Sequence, residues 1–122
     1  MIWYITLWTN DIEKAAAFYD EILWELWAKR YMETDRFISW SFWEWLTRIS
    51  IIKPFDKNPA TVWNGNMVAL YVKSKELVDK LHEKVLELWW TSEWDAGPRW
   101  NSWFYAGYFR DLDGNKLSFF TM

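Results

Sequence analysis

The sequence predicts an α+β fold made of two tandem βαβββ units. A segment with strand character followed by a segment with helical periodicity occurs twice along the 122 residues. Three short strand candidates follow each of the two predicted helices. The halves also align when the chain is shifted by 63 residues, which places Tyr4–Leu7 on Met67–Leu70. An internal repeat of this kind indicates a duplicated unit more strongly than any single motif does.

The first unit starts with "WYITLWT" (Trp3–Thr9), an apolar run rich in β-forming residues that predicts a strand. Asn10 follows and can cap a helix while Glu13 reaches back to it, as in a capping box. Apolar residues then recur at helical spacing, so the first helix is predicted at about residues 11–26. The remaining strands of this unit are expected near residues 29–33, 36–42 and 47–52.

A linker is predicted at about residues 54–65, between units at about 1–53 and 66–122, because the stretch carries Pro, Asn and Gly without periodicity. "MVALYVKS" (Met67–Ser74) then predicts a strand. The second unit continues with a helix at about 75–88 and with strands at 91–94, 103–109 and 115–121. Between the last two strands, "DLDGN" (Asp111–Asn115) predicts a tight turn, because Asp-Gly supplies the positive φ that hairpin turns need.

Composition excludes several classes of function. The length suits a single domain with a core of ordinary size. The absence of cysteine excludes disulfides, thiolate nucleophiles and cysteine-ligated metals. A net charge of −3 argues against a nucleic-acid-binding surface. No apolar run is long enough to span a membrane, and "MIWYITLWTND" lacks the pattern of a signal peptide. We therefore expect a cytoplasmic protein without nucleic-acid or membrane partners.

Two stretches carry a family resemblance that covers essentially the whole chain. "TNDIEKAAAFYDEIL" after the first strand and "YFRDLDGNKLSFF" at the last hairpin resemble the vicinal oxygen chelate superfamily. That superfamily includes glyoxalase, bleomycin-resistance and extradiol-dioxygenase proteins, and this chain is most similar to its small, single-domain glyoxalase-like members. The resemblance implies curled mixed sheets around a pocket, helices on the outside, and a homodimer.

The resemblance also implies where a divalent metal would bind. The superfamily usually takes His or Glu ligands from the first and last strands of each unit, and these positions correspond to Tyr4, Ser50, Met67 and Ser118. None of these side chains is a good ligand for such an ion, which prefers imidazole or carboxylate. We therefore expect no metal and no cofactor. The single histidine, His82, falls in the second helix and is interpreted as a surface or partly buried residue without a metal-binding role.

Strand alternation predicts which side chains line the implied pocket. Positions on the face of the metal-equivalent residues are Tyr4, Thr6, Trp8, Ser50, Ile52, Met67, Ala69, Tyr71, Lys116, Ser118 and Phe120. Further candidates of undetermined orientation are Phe37 or Ile38, Trp40, Tyr105 and Phe109. This largely apolar and aromatic set is typical of a small-molecule site, and equally of a filled core. Arg36, Arg99 and Arg110 could offer a cation to an anionic ligand, although we interpret Arg110 as a partner of Asp111 or Asp113.

These residues favour a metal-independent small-molecule-binding protein similar to the bleomycin-resistance branch. Aromatic walls would suit an aromatic or cationic ligand through stacking and cation–π contacts. The alternative is a metal-dependent glyoxalase-type lyase or a dioxygenase-like enzyme, for which catalytic residues cannot be named. A third possibility is a scaffold whose pocket is closed by its own side chains.

Tryptophan usage is far outside the ordinary range, with 13 Trp and only 4 Gly. Trp27, Trp89 and Trp90 follow the predicted helices, where a left-handed cap favours glycine. We hypothesise that many tryptophans replace native glycine, through engineering or through an error in the recorded sequence, whereas Trp40 and Trp103 are the native choices. The tryptophans that stand where similar sequences often carry glycine are Trp8, Trp24, Trp27, Trp63, Trp89, Trp90, Trp94 and Trp100.

Overall fold

The computed structural model describes residues 3–42, 47–62, 65–88, 90–99 and 103–122. The chain divides into two compact units, residues 1–61 and 62–122. Each unit folds as strand, helix and three strands, and each contains one four-stranded mixed sheet. The predicted α+β fold with a duplicated βαβββ unit is therefore confirmed.

In the first unit, a single helix covers one face of a sheet whose strands lie in the order β1-β4-β3-β2. β1 is parallel to β4, and the other neighbours are antiparallel. The helix contributes an apolar stripe that includes Phe18, Tyr19 and Ile22, all buried. The elements are β1 (Tyr4–Trp8), α1 (Ile12–Trp24), β2 (Ala28–Glu33), β3 (Phe37–Phe42) and β4 (Arg48–Ile52).

The N-cap of helix α1 is Asp11, one residue after the predicted cap, Asn10. Asp11 has the extended backbone that an N-cap needs, and its carboxylate accepts a hydrogen bond from the backbone N–H of Lys14 at 3.1 Å. The prediction that Asn10 is the cap is wrong, because its amide side chain is engaged elsewhere. It accepts from the N–H of Ala60 at 2.7 Å and donates to the carbonyl of the same residue at 3.2 Å.

The second unit repeats this arrangement, with the strand order β5-β8-β7-β6. Its elements are β5 (Val68–Tyr71), α2 (Lys75–Glu87), β6 (Thr91–Arg99), β7 (Phe104–Arg110) and β8 (Lys116–Thr121). Ser74 caps α2 by accepting from the N–H of Leu77. β6 extends beyond its predicted end because two register shifts let it keep pairing with β7. Among the described residues, no helix is long and apolar enough to cross a membrane.

The hairpin between β7 and β8 is fixed by its own side chains. The Asp111 carboxylate accepts hydrogen bonds from the N–H groups of Asp113 and Asn115, at 3.0 and 2.8 Å, and from the Asn115 amide at 2.8 Å. Gly114 has a φ of 81°, which confirms the predicted positive φ of this turn. The turn therefore pairs Arg110 with Lys116 and sets the register of the whole hairpin.

The end of α1 supports one part of the tryptophan hypothesis. Trp27 has a φ of 60°, in the left-handed region that disfavours bulky side chains, and its side chain is 79% exposed. The same expectation is wrong for Trp90, which does not adopt a positive φ. Trp8, Trp24 and Trp94 do not adopt one either, while Trp63, Trp89 and Trp100 lie outside the described residues.

Candidate functional site

Each sheet has one face covered by its helix and an opposite face, which we call the helix-free face. In the first unit, Trp40 packs against α1, and the register places Ile49 on the same side as Trp40. Alternate residues point the other way, so Ser50 lies on the helix-free face together with its partner Thr6. The same register adds Tyr4, Trp8, Phe37 and Ile52 to this face.

The helix-free face of the first unit is rich in hydroxyl groups. Ser50 is buried and donates a hydrogen bond to the Ser39 hydroxyl at 3.0 Å. Toward one end of this face, the Arg48 guanidinium lies 3.9 Å from the ring centre of Tyr31 and 5.8 Å from that of Trp3. Cation–π contacts of this kind hold an arginine side chain in place.

In the second unit, strand register brings several predicted positions together on the helix-free face. Ala69 pairs with Ser118, and Tyr71 pairs with Phe120. Met67 directly precedes β5 and is exposed. Across the hairpin, Ser118 pairs with Tyr108. Ala69, Tyr71, Ser118 and Phe120 therefore lie on one surface of β5 and β8, which continues onto β7 at Tyr108.

Five rings on this surface form what we call the aromatic row: Tyr71, Trp94, Phe104, Tyr108 and Phe120. Trp94 and Tyr108 stack with ring centres 5.8 Å apart, and Phe104 and Phe120 stack at 5.6 Å. Tyr71 meets Phe120 edge to face at 5.8 Å. Offset stacking and edge-to-face contacts are the favoured geometries of aromatic pairs, and they hold the rings in a defined arrangement.

Cations lie over the rings at one end of the aromatic row. The Arg99 guanidinium is 4.1 Å from the ring centre of Trp94 and 5.5 Å from that of Tyr108. The Lys116 ammonium approaches the same Tyr108 ring at 5.7 Å. Arg99 is only 8% exposed. Its terminal nitrogens donate to the carbonyls of Pro98 and Asp95, while its Nε has no hydrogen-bond partner among the described residues. This end of the surface therefore combines ring faces with positive charge.

Arg110 is engaged beside the aromatic row and cannot serve as a free cation for a ligand. It pairs with Glu93 at 2.5 Å and donates to the carbonyl of Gly114 at 2.7 Å. The hydrogen bond from Arg110 holds the pKa of Glu93 below its ordinary value, and the positive charge of Lys116 acts in the same direction. The sequence led us to expect Asp111 or Asp113 as the partner of Arg110, whereas the structure gives it the Gly114 carbonyl of the same hairpin and the Glu93 carboxylate of β6.

Four candidate pocket residues lie on the opposite, helix-covered faces and are therefore not part of the candidate site. The Trp40 indole donates to Asp20 of α1 at 2.8 Å. The Tyr105 hydroxyl donates to Asp79 of α2 at 2.6 Å, and this bond raises the pKa of Tyr105. Phe109 stacks on buried Phe119 at 4.9 Å. Ile38 is buried on the same side as Trp40, whereas its alternative, Phe37, lies on the helix-free face.

Sequence reasoning missed Tyr108, Phe104 and Trp94 as members of the aromatic row. The signal that finds the first two is the Asp111–Asn115 turn, whereas the place of Trp94 depends on register shifts in β6. Because this turn pairs Arg110 with Lys116, counting back along both strands pairs Tyr108 with Ser118 and Ala106 with Phe120. The orientation of β7 was therefore available from the sequence once the turn was assigned.

The four metal-equivalent positions offer a donor set that does not fit the superfamily's divalent metal. Tyr4 and Met67 are exposed, while the hydroxyls of Ser50 and Ser118 are buried. Phenol, thioether and alcohol groups bind such an ion poorly without imidazole or carboxylate. Within the described ranges, no group of three or more His, Cys, Asp or Glu side chains could hold a metal. No chemical step through a metal can be derived from these residues.

The single histidine is a packing residue beneath the second sheet. His82 is buried, and its Nε2 lies 3.3 Å from the Tyr108 carbonyl and 3.3 Å from the Ser92 hydroxyl. Its ring also lies directly against Gly107, where an added Cβ would meet His82 Cδ2 at 2.8 Å. The imidazole therefore fills the space between α2 and β7.

Three solved structures show what the chain is similar to. A glyoxalase/bleomycin resistance protein from Albidiferax ferrireducens T118 matches with a TM-score of 0.88 and 26% identity, over 98% of this chain and 97% of that one. The fosfomycin resistance protein FosX from Listeria monocytogenes matches at 0.73 and 21%, over 96% and 88%. Lactoylglutathione lyase from Agrobacterium tumefaciens matches at 0.73 and 18%, over 98% and 92%.

No protein-family model and no curated protein sequence matches the chain. The similar structures nevertheless point to one fold, because they include glyoxalase/bleomycin resistance/dioxygenase family proteins, FosX and lactoylglutathione lyase. The chain therefore has the glyoxalase/bleomycin resistance fold, consistent with the vicinal oxygen chelate superfamily.

Proposed function

We propose that the protein binds a small organic molecule, without a metal ion, on the helix-free face of its second unit. The observation that carries the proposal is the aromatic row, with the cations of Arg99 and Lys116 over its rings. Ligand sites in proteins are mostly apolar and aromatic, with a few polar groups that fix orientation. The buried hydroxyl of Ser118, opposite Tyr108, supplies one such polar group.

The chemistry of this face favours a planar aromatic ligand. Such a ligand gains from stacking on Tyr108, Phe120 and the other rings of the row. A cationic ligand would also gain from ring faces, but Arg99 and Lys116 already lie over Trp94 and Tyr108. We therefore expect a neutral or anionic aromatic compound to bind more tightly than a cationic compound of the same size.

The experiment is a titration of the protein with matched neutral, anionic and cationic planar aromatic compounds. Binding is monitored through the NMR chemical shifts of the protein's aromatic rings. Tyr108→Ala should weaken binding about 2- to 10-fold, because one aromatic pair contributes about 0.5–1.5 kcal/mol. Tyr31→Ala is the matched control, since Tyr31 is an exposed tyrosine beside a cation in the first unit. Equal losses in the two variants would contradict the assignment of the site to the second unit.

The alternative function, a metal-dependent lyase or dioxygenase-like enzyme, is tested by metal analysis of the purified protein. The donor sets at Tyr4, Ser50, Met67 and Ser118 lead us to expect less than stoichiometric nickel, zinc or iron. Stoichiometric metal, together with an activity that chelation removes, would overturn the metal-independent proposal.

A homodimer remains part of the proposal. In each sheet the outer strands, β1 and β2 or β5 and β6, have one edge that is not paired within the sheet. Exposed edges are places where another chain can add. Light scattering after size-exclusion chromatography tests this, and a monomeric mass at all concentrations would contradict it. The cytoplasmic location predicted from the sequence likewise stays a prediction.

A further inference from the structure

A positively charged cleft lies at one end of the first sheet. It has a volume of about 430 Å³ and forms where β1 ends, where β2 turns into β3, and where the chain leaves β4. The polar side chains that line it are Thr9, Asn10, Arg36, Lys53, Lys57 and Asn58. Three of these six are cations, and the described residues that line the cleft include no carboxylate side chain.

The three cations have no carboxylate partner at ion-pair distance in the parts of the chain that the structure describes. Among the described residues, the Arg36 guanidinium donates only to the backbone carbonyls of Lys53 and Pro54, at 3.4 and 3.1 Å. Asp56, which directly precedes Lys57, is engaged by Asn58, whose hydrogen bonds lower the pKa of Asp56. Asp35, which directly precedes Arg36, lines a neighbouring cleft that shares Lys53. Since no described carboxylate pairs with the three cations at ion-pair distance, their charge is available to a ligand.

The backbone around the cleft is held in place before any ligand arrives. The N–H of Lys53 donates to the Arg36 carbonyl at 2.9 Å, and the N–H of Lys57 donates to the Pro54 carbonyl at 3.1 Å. Lys57 has a φ of 64°, a left-handed conformation that is uncommon for residues other than glycine. The two hydrogen bonds between Asn10 and Ala60 tie the far end of this loop to the start of α1. A site arranged in advance loses less entropy when it binds.

We propose that this cleft binds a compact oxyanion of the phosphate type, either free or as a group on a small molecule. Three cations reaching one cavity from two segments, the β2–β3 turn and the loop after β4, suit an anion whose oxygens point in several directions. A lone carboxylate, with two oxygens in one plane, would be served by a single arginine. The site is independent of the proposed aromatic ligand, because all of its residues lie in the first unit.

The test is a titration of the protein with inorganic phosphate at constant ionic strength, in which binding is monitored through the NMR chemical shifts of the backbone amides. Saturable shifts are expected at residues 9–10 and 53–58. Lys53→Gln combined with Lys57→Gln should weaken binding about tenfold or more, because two of the three charges are lost. The control is Lys80→Gln with Lys84→Gln, which removes the same charge from α2 in the second unit and should leave the affinity unchanged.

Three outcomes would overturn the proposal: shifts that do not saturate, shifts centred elsewhere, or equal weakening by the two double variants. The last would indicate a general charge effect rather than a site. Circular dichroism of both variants shows that they fold, which we expect because Lys57 is exposed and neither cleft lysine has an ion-pair partner among the described residues. A titration with phenyl phosphate then distinguishes free phosphate from a phosphate group on a larger molecule. If the site serves a larger molecule, phenyl phosphate should bind more tightly than inorganic phosphate.

Discussion

The two units share an architecture but differ in the chemistry of their helix-free faces. In the first unit, that face carries hydroxyl groups, with Ser50 bonded to Ser39. In the second unit, the corresponding surface carries the aromatic row and two cations over its rings. Since both sheets have the same strand order, the difference cannot come from topology and must come from the side chains on alternate positions.

The helix-covered faces, in contrast, are packed in the same way in the two units. Each places a large aromatic residue with a polar group under the helix, and each supplies an aspartate on that helix to accept its hydrogen bond. Trp40 uses Asp20, and Tyr105 uses Asp79. A buried indole or phenol needs such a partner. The comparison teaches that one face of each sheet is committed to stability, which leaves the other face to differ in function.

The largest effect is expected from breaking the helix-covered face of the first unit with Trp40→Ala. Trp40 is almost fully buried, so its loss should lower the free energy of unfolding by about 3–5 kcal/mol. Urea denaturation measures this change. The control is Trp24→Ala, an exposed tryptophan of the same unit, which should cost much less. Similar losses in both variants would mean that the indole of Trp40 does not support the packing of α1.

The second prediction concerns the helix-covered face of the second unit and uses Gly107→Ala. The added methyl group would lie 2.8 Å from the His82 ring, so the variant should be destabilised by about 1–3 kcal/mol through overpacking. Gly65→Ala is the matched control, because no described residue lies within 4 Å of its added Cβ. If the two variants unfold at the same denaturant concentration, His82 is not packed against β7 as described.

Third, Trp27→Gly should stabilise the first unit by about 1 kcal/mol. A residue with a side chain in the left-handed region costs about 1–2 kcal/mol, and the greater freedom of glycine in the unfolded chain offsets part of that gain. Trp24→Gly, inside α1, should have the opposite sign. The melting temperatures of the two variants decide the matter, and a loss in both would contradict the strain assigned to Trp27.

The same position bears on the unusual tryptophan content. An intact mass that matches the printed sequence, with its 13 tryptophans, would contradict the hypothesis of an error in the recorded sequence. A lower mass, equal to that of a chain with glycine at several of these positions, would support it.

The smallest effect is expected from the Glu93–Arg110 pair beside the aromatic row. Because Arg110 lowers the pKa of Glu93, the pair stabilises the fold above the ordinary glutamate value of 4.5. This stabilisation decreases as the pH falls below 4.5, and it is lost once the pH has fallen below the lowered pKa of Glu93. It should amount to about 1 kcal/mol or less, since the pair is partly exposed. Urea midpoints measured across this range should fall more steeply for the native protein than for Glu93→Gln.

Much of this fold could be predicted from the sequence, because periodicity and turn residues act locally. The two helices, the hairpin turn and most strands follow from such signals. The orientation of Trp40 was missed although the sequence indicates it, because "FISWSF" places Ile38, Trp40 and Phe42 on one alternation and two serines on the other. The contact of Trp40 with α1 agrees with that alternation. The end of β6 was also missed, since its length depends on bulges that form only against β7. The charged cleft depends on three segments that the sequence holds far apart.

The turn at Asp111–Asn115 has a consequence for how this protein could change over time. It fixes the register between β7 and β8. Inserting a single residue there would therefore move every side chain of one of these strands to the other face of the sheet. Leu117 and Phe119 would leave the core while Lys116 and Ser118 entered it. Side chains on the helix-free face can thus be exchanged one by one, and new ligands can be acquired, only while the length of this turn stays fixed.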